Sequence, residues 1–198
     1  MNGVPPTRQV RAAFDERVVT VYQAYGARIA EPALRAGTFV EPFKLTRMTW
    51  IKPSFLWMMY RCGWAAKPDQ ERVLALDITR EGFEWALASS CLSHFDRARF
   101  ATQADWREAL RASPVRVQWD PERDLQLNPL PHRAIQIGLS GEAVPRYVAD
   151  WIVSVRDVTQ LAHEVHGAVR AGGEDAARAL LPVERPYPLS DELTARIG

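Results

Sequence analysis

Cysteine is nearly absent. Cys62 and Cys91 are the two in 198 residues, too few for a disulfide framework and not arranged as a CxxC pair. They read as reduced thiols, and a cytoplasmic protein is expected. Charge of one sign is missing as well. Lys and Arg number 25 against 24 Asp and Glu, a net charge of +1, so bulk electrostatics gives no reason for avid binding to duplex nucleic acid. A local basic groove stays open. No apolar run approaches the roughly 20 residues of a membrane helix, and Met1 to Arg8 has no apolar signal core. No membrane partner is expected. Nor does the chain carry a GxSxG, GxGxxG, P-loop or HExxH pattern, which rules out no enzyme class but removes the assignments most easily read from sequence.

Hydrophobic residues make up 47% and charged residues 25%, ordinary values for a globular chain that can bury a sizeable core. Strands are expected at 18–25, 72–79, 115–119 and 134–139, where β-branched or alternating apolar residues recur. Gly26 opens a helix with Ile29, Ala30, Ala33 and Leu34 on one face, and Gly37 stops it. Further helices are expected at 54–61, 81–92, with Cys91 on its stripe, 103–112 and 141–151. Asp120-Pro121-Glu122 reads as a turn, and 152–159 as a strand or a helix end. Helices and strands mix without regular βαβ spacing. The expected class is α+β, one compact domain over 1–198 with a mixed or antiparallel sheet and flanking helices. Residues 1–9 and 186–198 are expected to be peripheral or mobile.

Residues 47–64 carry the most information. Trp50, Trp57, Trp64, Tyr60 and Phe55 surround Arg47, Lys52 and Arg61. Unpaired buried cations are costly, whereas aromatic faces beside fixed cations suit a flat anion such as a nucleotide, a dinucleotide or single-stranded nucleic acid. The bland alternative is that these long cations snorkel from a half-buried surface or pair with carboxylates such as Glu71. Pro53 forces an extended Lys52, Ser54 is an N-cap type, and Gly63 ends the helix. In an extended 47–52, Arg47 and Thr49 face one way while Trp50 and Lys52 face the other.

Other candidates are sparser. Tyr22, Gln23 and Tyr25 close a strand before a helix, a common place for ligand contacts, although core packing is the better account of Tyr22 and a satisfied strand edge is the alternative for Gln23. His132 follows Pro129 and Pro131 at an expected loop–strand junction and is the first choice for a general acid or base. Ser140 and Glu142 read as an N-cap and a first-turn carboxylate; Glu142 could instead bind a ribose or offset positive charge. His163 and His166 stand at i, i+3 with no third ligand at a recognisable spacing, so no metal is expected.

The block from Arg47 to Arg61, with Val-Tyr-Gln-Ala-Tyr before it and Gln-Glu-Arg-Val-Leu-Ala-Leu and Arg-Glu-Gly-Phe-Glu after it, resembles domain-of-unknown-function family 4291. The likeness extends to Arg133–Leu139 and to Tyr147–Thr159. It covers nearly the whole chain and implies little about activity. More distantly, the order of elements resembles the ADP-ribosyltransferase fold. That likeness implies an early strand, Thr20 to Tyr25, leading into the helix Arg28 to Gly37. It further implies that Thr49 to Tyr60 holds nicotinamide and that Ala134 to Leu139 brings a catalytic acid. This chain offers Gln136 in that place, with Glu142 just beyond it.

Three readings follow. The first is an NAD-using ADP-ribosyl-transfer enzyme acting on a nucleic acid or small molecule. Tyr25, Arg47, Thr49, Lys52, Ser54 and Arg61 would bind NAD, Trp50, Trp57 and Tyr60 would stack on it, and Glu142 or Gln136 would stabilise an oxocarbenium-like state. The second is a module that holds nucleotide or single-stranded RNA in the same cleft without chemistry. The third makes the aromatic block a packed core.

Overall fold

The β-branched run Val18–Tyr25 forms strand β2, in a computed structural model that describes residues 6–198. The short strand β1, Arg11–Ala12, precedes it. Gly26 caps helix α1, Ala27–Ala36, and Gly37 ends it. Strand β3, Thr49–Ile51, leads through Pro53 into helix α2, Phe55–Cys62. Then come β4 (Arg72–Thr79), α3 (Arg80–Ala88), β5 (Ser90–Leu92) and α4 (Gln103–Ala112). The long hairpin β6 (Val115–Arg123) and β7 (Pro129–Leu139) is followed by α5 (Ala143–Arg146) and a π-helical turn, Tyr147–Trp151. Strand β8 (Ile152–Asp157), α6 (Thr159–Arg170), α7 (Glu174–Leu180), β9 (Arg185–Pro186) and α8 (Asp191–Ile197) complete the chain.

The strands form two main sheets and one small one. One sheet has the antiparallel order β2-β4-β8, with Tyr22 opposite Ala75 and Ala75 opposite Arg156. The other has the order β3-β7-β6-β5, antiparallel except for the parallel pair β5–β6. Strands β1 and β9 pair separately. This is an α+β architecture.

Period-two alternation decides what each face does. In the second sheet the odd positions Ile51, Ile137, Val117 and Leu139 are fully buried. They share one core with Val21, Leu74, Leu76 and Ile78 of the first sheet and with Phe83 and Tyr147. A second core lies under α2 and α6, where Phe55, Met58, Met59 and Cys62 meet Val73 and Val165. Truncating Phe83 to Ala at such a site removes packing worth about 3–5 kcal/mol.

Several expectations are corrected. Helix α3 ends at Ala88, because Ser90 turns its hydroxyl back onto the Leu87 carbonyl at 2.7 Å. Cys91 therefore lies in strand β5, beside Arg116 of β6. Asp120-Pro121-Glu122 continues β6, and a register shift between Pro121 and Arg123 accommodates the proline. The chain reverses after it, where Asp124 accepts from the Asn128 backbone at 2.8 Å. Strand β7 begins at Pro129, so His132 lies inside a strand. Ser140 does not cap a helix; its hydroxyl donates to the Pro114 carbonyl at 2.9 Å. Thr7 and Arg8 pair with Arg133, while residues 1–5 of the expected tail lie outside the described residues. At the other end, Tyr187 and Ile197 join the main core.

Candidate functional site

The even positions of the second sheet make a polar and aromatic floor. Register sets Trp50 opposite Gly138 and Gly138 opposite Arg116 in one row. In the next row, Gln136 stands opposite Gln118, with Lys52 just past the end of β3. Asp120 stands opposite Ala134 in the row after that. These side chains share a face because their strands alternate in phase. Trp50 lies flat on Gly138: a Cβ added there would meet the indole at 3.0 Å, so glycine allows the ring to lie against the strand.

Helix α2 supplies the facing wall. Its i, i+3, i+4 positions Phe55, Met58, Met59 and Cys62 turn into the core, which leaves Trp57, Tyr60 and Arg61 on the other side. Ser54 fixes the helix start by accepting from Trp57 N at 3.1 Å and donating to Glu122 Oε1 at 2.9 Å. Gly63, with φ of 59°, ends it in the left-handed region. Trp57 stacks on Tyr60 at 5.1 Å, and the Arg123 guanidinium lies 3.6 Å from the Tyr60 ring centroid. Trp57 Nε1 and Arg123 Nε are buried and find no acceptor among the described residues. Buried donors of this kind rarely go unpaired in a finished core.

One cavity opens between these walls, and a second adjoins it beside the end of β2 and the start of α1. The first, ≈ 520 Å³, is bounded by Trp57, Tyr60, Arg123, Gln118, Asp120 and Gln136. The second, ≈ 660 Å³, is bounded by Tyr25, Arg28, Phe43, Lys44, Arg47 and Thr49. Trp50, Lys52 and Arg61 border both. Asp120 is held by two amides, Gln118 Nε2 at 2.9 Å and Gln136 Nε2 at 2.6 Å. Below the second cavity, Gln23 donates to Thr49 Oγ1 at 2.6 Å and to Tyr25 Oη at 2.9 Å, and Tyr147 Oη donates to Gln23 Oε1 at 2.7 Å. This network fixes the ends of β2 and β3 against each other. Burial pushes the Tyr25 phenol up to about 12.

Lys52 is the least ordinary group in the cleft. It is 6% exposed, and Nζ donates to the Trp50 carbonyl at 3.4 Å. Among the described residues Nζ makes no ion pair. Burial, reinforced by the Arg61 charge, draws its amine down to about 7, against the pull of Asp120.

The model of the family described as "Domain of unknown function (DUF4291)" matches residues 9–187. The chain belongs to that family. No curated protein and no solved structure matches the chain. The matched span takes in both walls of the cleft, from β2 and α2 to the hairpin β6–β7.

Of the residues expected from sequence, Gln23, Tyr25, Arg47, Thr49, Trp50, Lys52, Trp57, Tyr60, Arg61 and Gln136 all border the two cavities. Four do not. Tyr22 is buried in the second core, and burial raises its phenol. Ser54 is buried as the α2 cap. His132 sits half-buried on β7, its imidazole lowered by burial and by Arg11. Glu142 is exposed and pairs with Arg146 at 3.0 Å. Sequence reasoning missed Asp120 and Arg123, since Pro121 disguised that part of β6 as a turn. The alternation of Arg116 and Gln118 with Val115, Val117 and Trp119 extends in phase to Asp120 and could have found it.

Proposed function

We propose that this protein binds a nucleotide or dinucleotide anion, with NAD the leading candidate, and cleaves its N-glycosidic bond as an ADP-ribosyl-transfer enzyme. The observation that carries the reading is Asp120, a carboxylate in the first cavity, whose lining also includes Lys52, Arg61, Arg123, Trp50, Trp57 and Tyr60. Glu142, the acid suggested by chain position alone, is engaged at the surface by Arg146. Asp120 takes that role here.

The chemistry follows from charge. As the bond from C1′ to the base breaks, the electron pair leaves with the base and positive charge gathers on the ribose ring; an oxygen or nitrogen of the acceptor, a nucleic acid or small molecule, then bonds to C1′ and gives up its proton. A carboxylate already fixed in place stabilises that charge without reorganising, and the amides of Gln118 and Gln136 hold Asp120 ready. Arg28, Lys44 and Arg47 bring positive charge to the second cavity for the phosphates. Trp50 borders both cavities and offers a flat face for a base.

The test is calorimetric titration with NAD and ADP-ribose, followed by an assay for released nicotinamide. Saturable binding with release supports the reading. Binding of ADP-ribose without release moves the protein to a non-catalytic nucleotide-binding module. The absence of any binding overturns both.

A further inference from the structure

Lysine is rare in this chain. Lys44, Lys52 and Lys67 are its three lysines, against 22 arginines. Where a fixed positive charge suffices, arginine serves, because the guanidinium stays protonated in any protein setting. A lysine sealed into the cleft wall offers what arginine cannot: a primary amine able to lose its proton and present a lone pair.

The surroundings of Lys52 favour that state. Its backbone exchanges hydrogen bonds with Tyr22, N to O at 3.2 Å and O from N at 2.7 Å, so the stem starts from a fixed point. Among the described residues no carboxylate pairs with Nζ. Arg61, a like charge, borders the same cavities, and burial with Arg61 lowers the amine to about 7. Lys52 borders both cavities, the second lined by Arg28, Lys44, Arg47 and Asp69 and the first by Asp120 and Arg123.

We infer that Lys52 is an imine-forming amine that captures the aldehyde carbon of a phosphorylated ligand inside the cleft. The neutral Nζ adds its lone pair to the aldehyde carbon, and a proton moves from nitrogen to oxygen to give a carbinolamine. The carbon–oxygen bond then breaks, the hydroxyl leaves as water, and the imine remains. Asp120, in the same cavity, carries the proton between nitrogen and the departing oxygen. Nothing is oxidised or reduced. Arg47 and Lys44 meet the phosphate of the ligand. The inference goes beyond the proposed function, since no NAD takes part.

The experiment incubates the full chain at neutral pH with pyridoxal 5′-phosphate, and separately with ribose 5-phosphate, then reduces with borohydride. Intact mass and peptide mapping locate the label. The expected result is one label per chain on Lys52, with Lys44 and Lys67 largely unmodified, and about tenfold weaker labelling in Arg47→Ala. Label on Lys44 or Lys67 in preference to Lys52, or no label at Lys52, overturns the inference. A folded Lys52→Arg variant should take up no label at the cleft; undiminished labelling of that variant also overturns it. Nicotinamide release is scored separately, so failure of NAD chemistry leaves the labelling result intact, and the reverse holds too.

Discussion

Tyr22 and Lys52 exchange two backbone hydrogen bonds, of 2.7 and 3.2 Å, and so join β2 of one sheet to the end of β3 in the other. Pro53 follows at once and keeps Lys52 extended. The lysine therefore stands at the seam of the two sheets. Both cavities open at this seam. Joining the sheets and setting a buried amine at the border of both cavities are consequences of one bridge.

Arg47 is exposed and borders the second cavity. Arg47→Ala should weaken ADP-ribose binding about tenfold, the scale of one lost charge-assisted phosphate contact. Its stability should change by no more than about 0.5 kcal/mol, as at most surface positions. Titration calorimetry beside a thermal melt decides; a large loss of stability with intact binding would return the aromatic block to a purely structural role.

Asp120→Asn keeps the shape of the side chain and removes its charge. Nicotinamide release should fall by roughly 10²–10³-fold while NAD binding persists, as when one preorganised electrostatic group is lost. Parallel turnover and binding curves measure this, and unchanged turnover would exclude Asp120 from the chemistry.

Gly138→Ala places a Cβ at 3.0 Å from three atoms of the Trp50 ring. Overpacking of this kind costs about 1–3 kcal/mol. The indole should be displaced, lowering both the melting temperature and ligand affinity. A variant as stable as the parent would show that Trp50 does not rest on the strand.

Glu184 accepts from Phe55 N at 2.7 Å, and burial, with the nearby Glu122 charge, pushes its carboxyl up to about 8. An unfolded glutamate releases its proton near 4.5. Between these values the folded state holds a proton that the unfolded state has lost, so stability falls as pH rises through the window. Glu184→Gln should flatten that fall, so that its melting temperature gains on the parent most clearly at pH 8 to 9. Equal slopes from pH 5 to 9 would remove Glu184 from the account.

Much of the local structure was readable beforehand. Helix α2 was legible from Ser54, Gly63 and the spacing of Phe55, Met58 and Met59, because caps and helical periodicity act within a few residues. Strand β2 and helix α1 were legible for the same reason. The hairpin was misread where Pro121 entered β6, since a bulge that accommodates proline depends on the partner strand. Ser54 and Tyr22 looked like ligand residues, yet each is committed elsewhere: Ser54 to Glu122 at 2.9 Å, and Tyr22 to the packing around Phe55.

By itself the sequence determined which side chains alternate, which helix face is apolar, and that cations and aromatics crowd together at 47–64. Those properties rest on short-range sterics and on the two fixed periods of helix and strand. Tertiary structure alone decided that Gln118, Asp120 and Gln136 stand beside Lys52, and that Glu142 lies outside both cavities. Strand register brings Lys52 together with residues 66 to 84 positions further along the chain, and it is set by the pairing of whole strands. No local pattern contains that information.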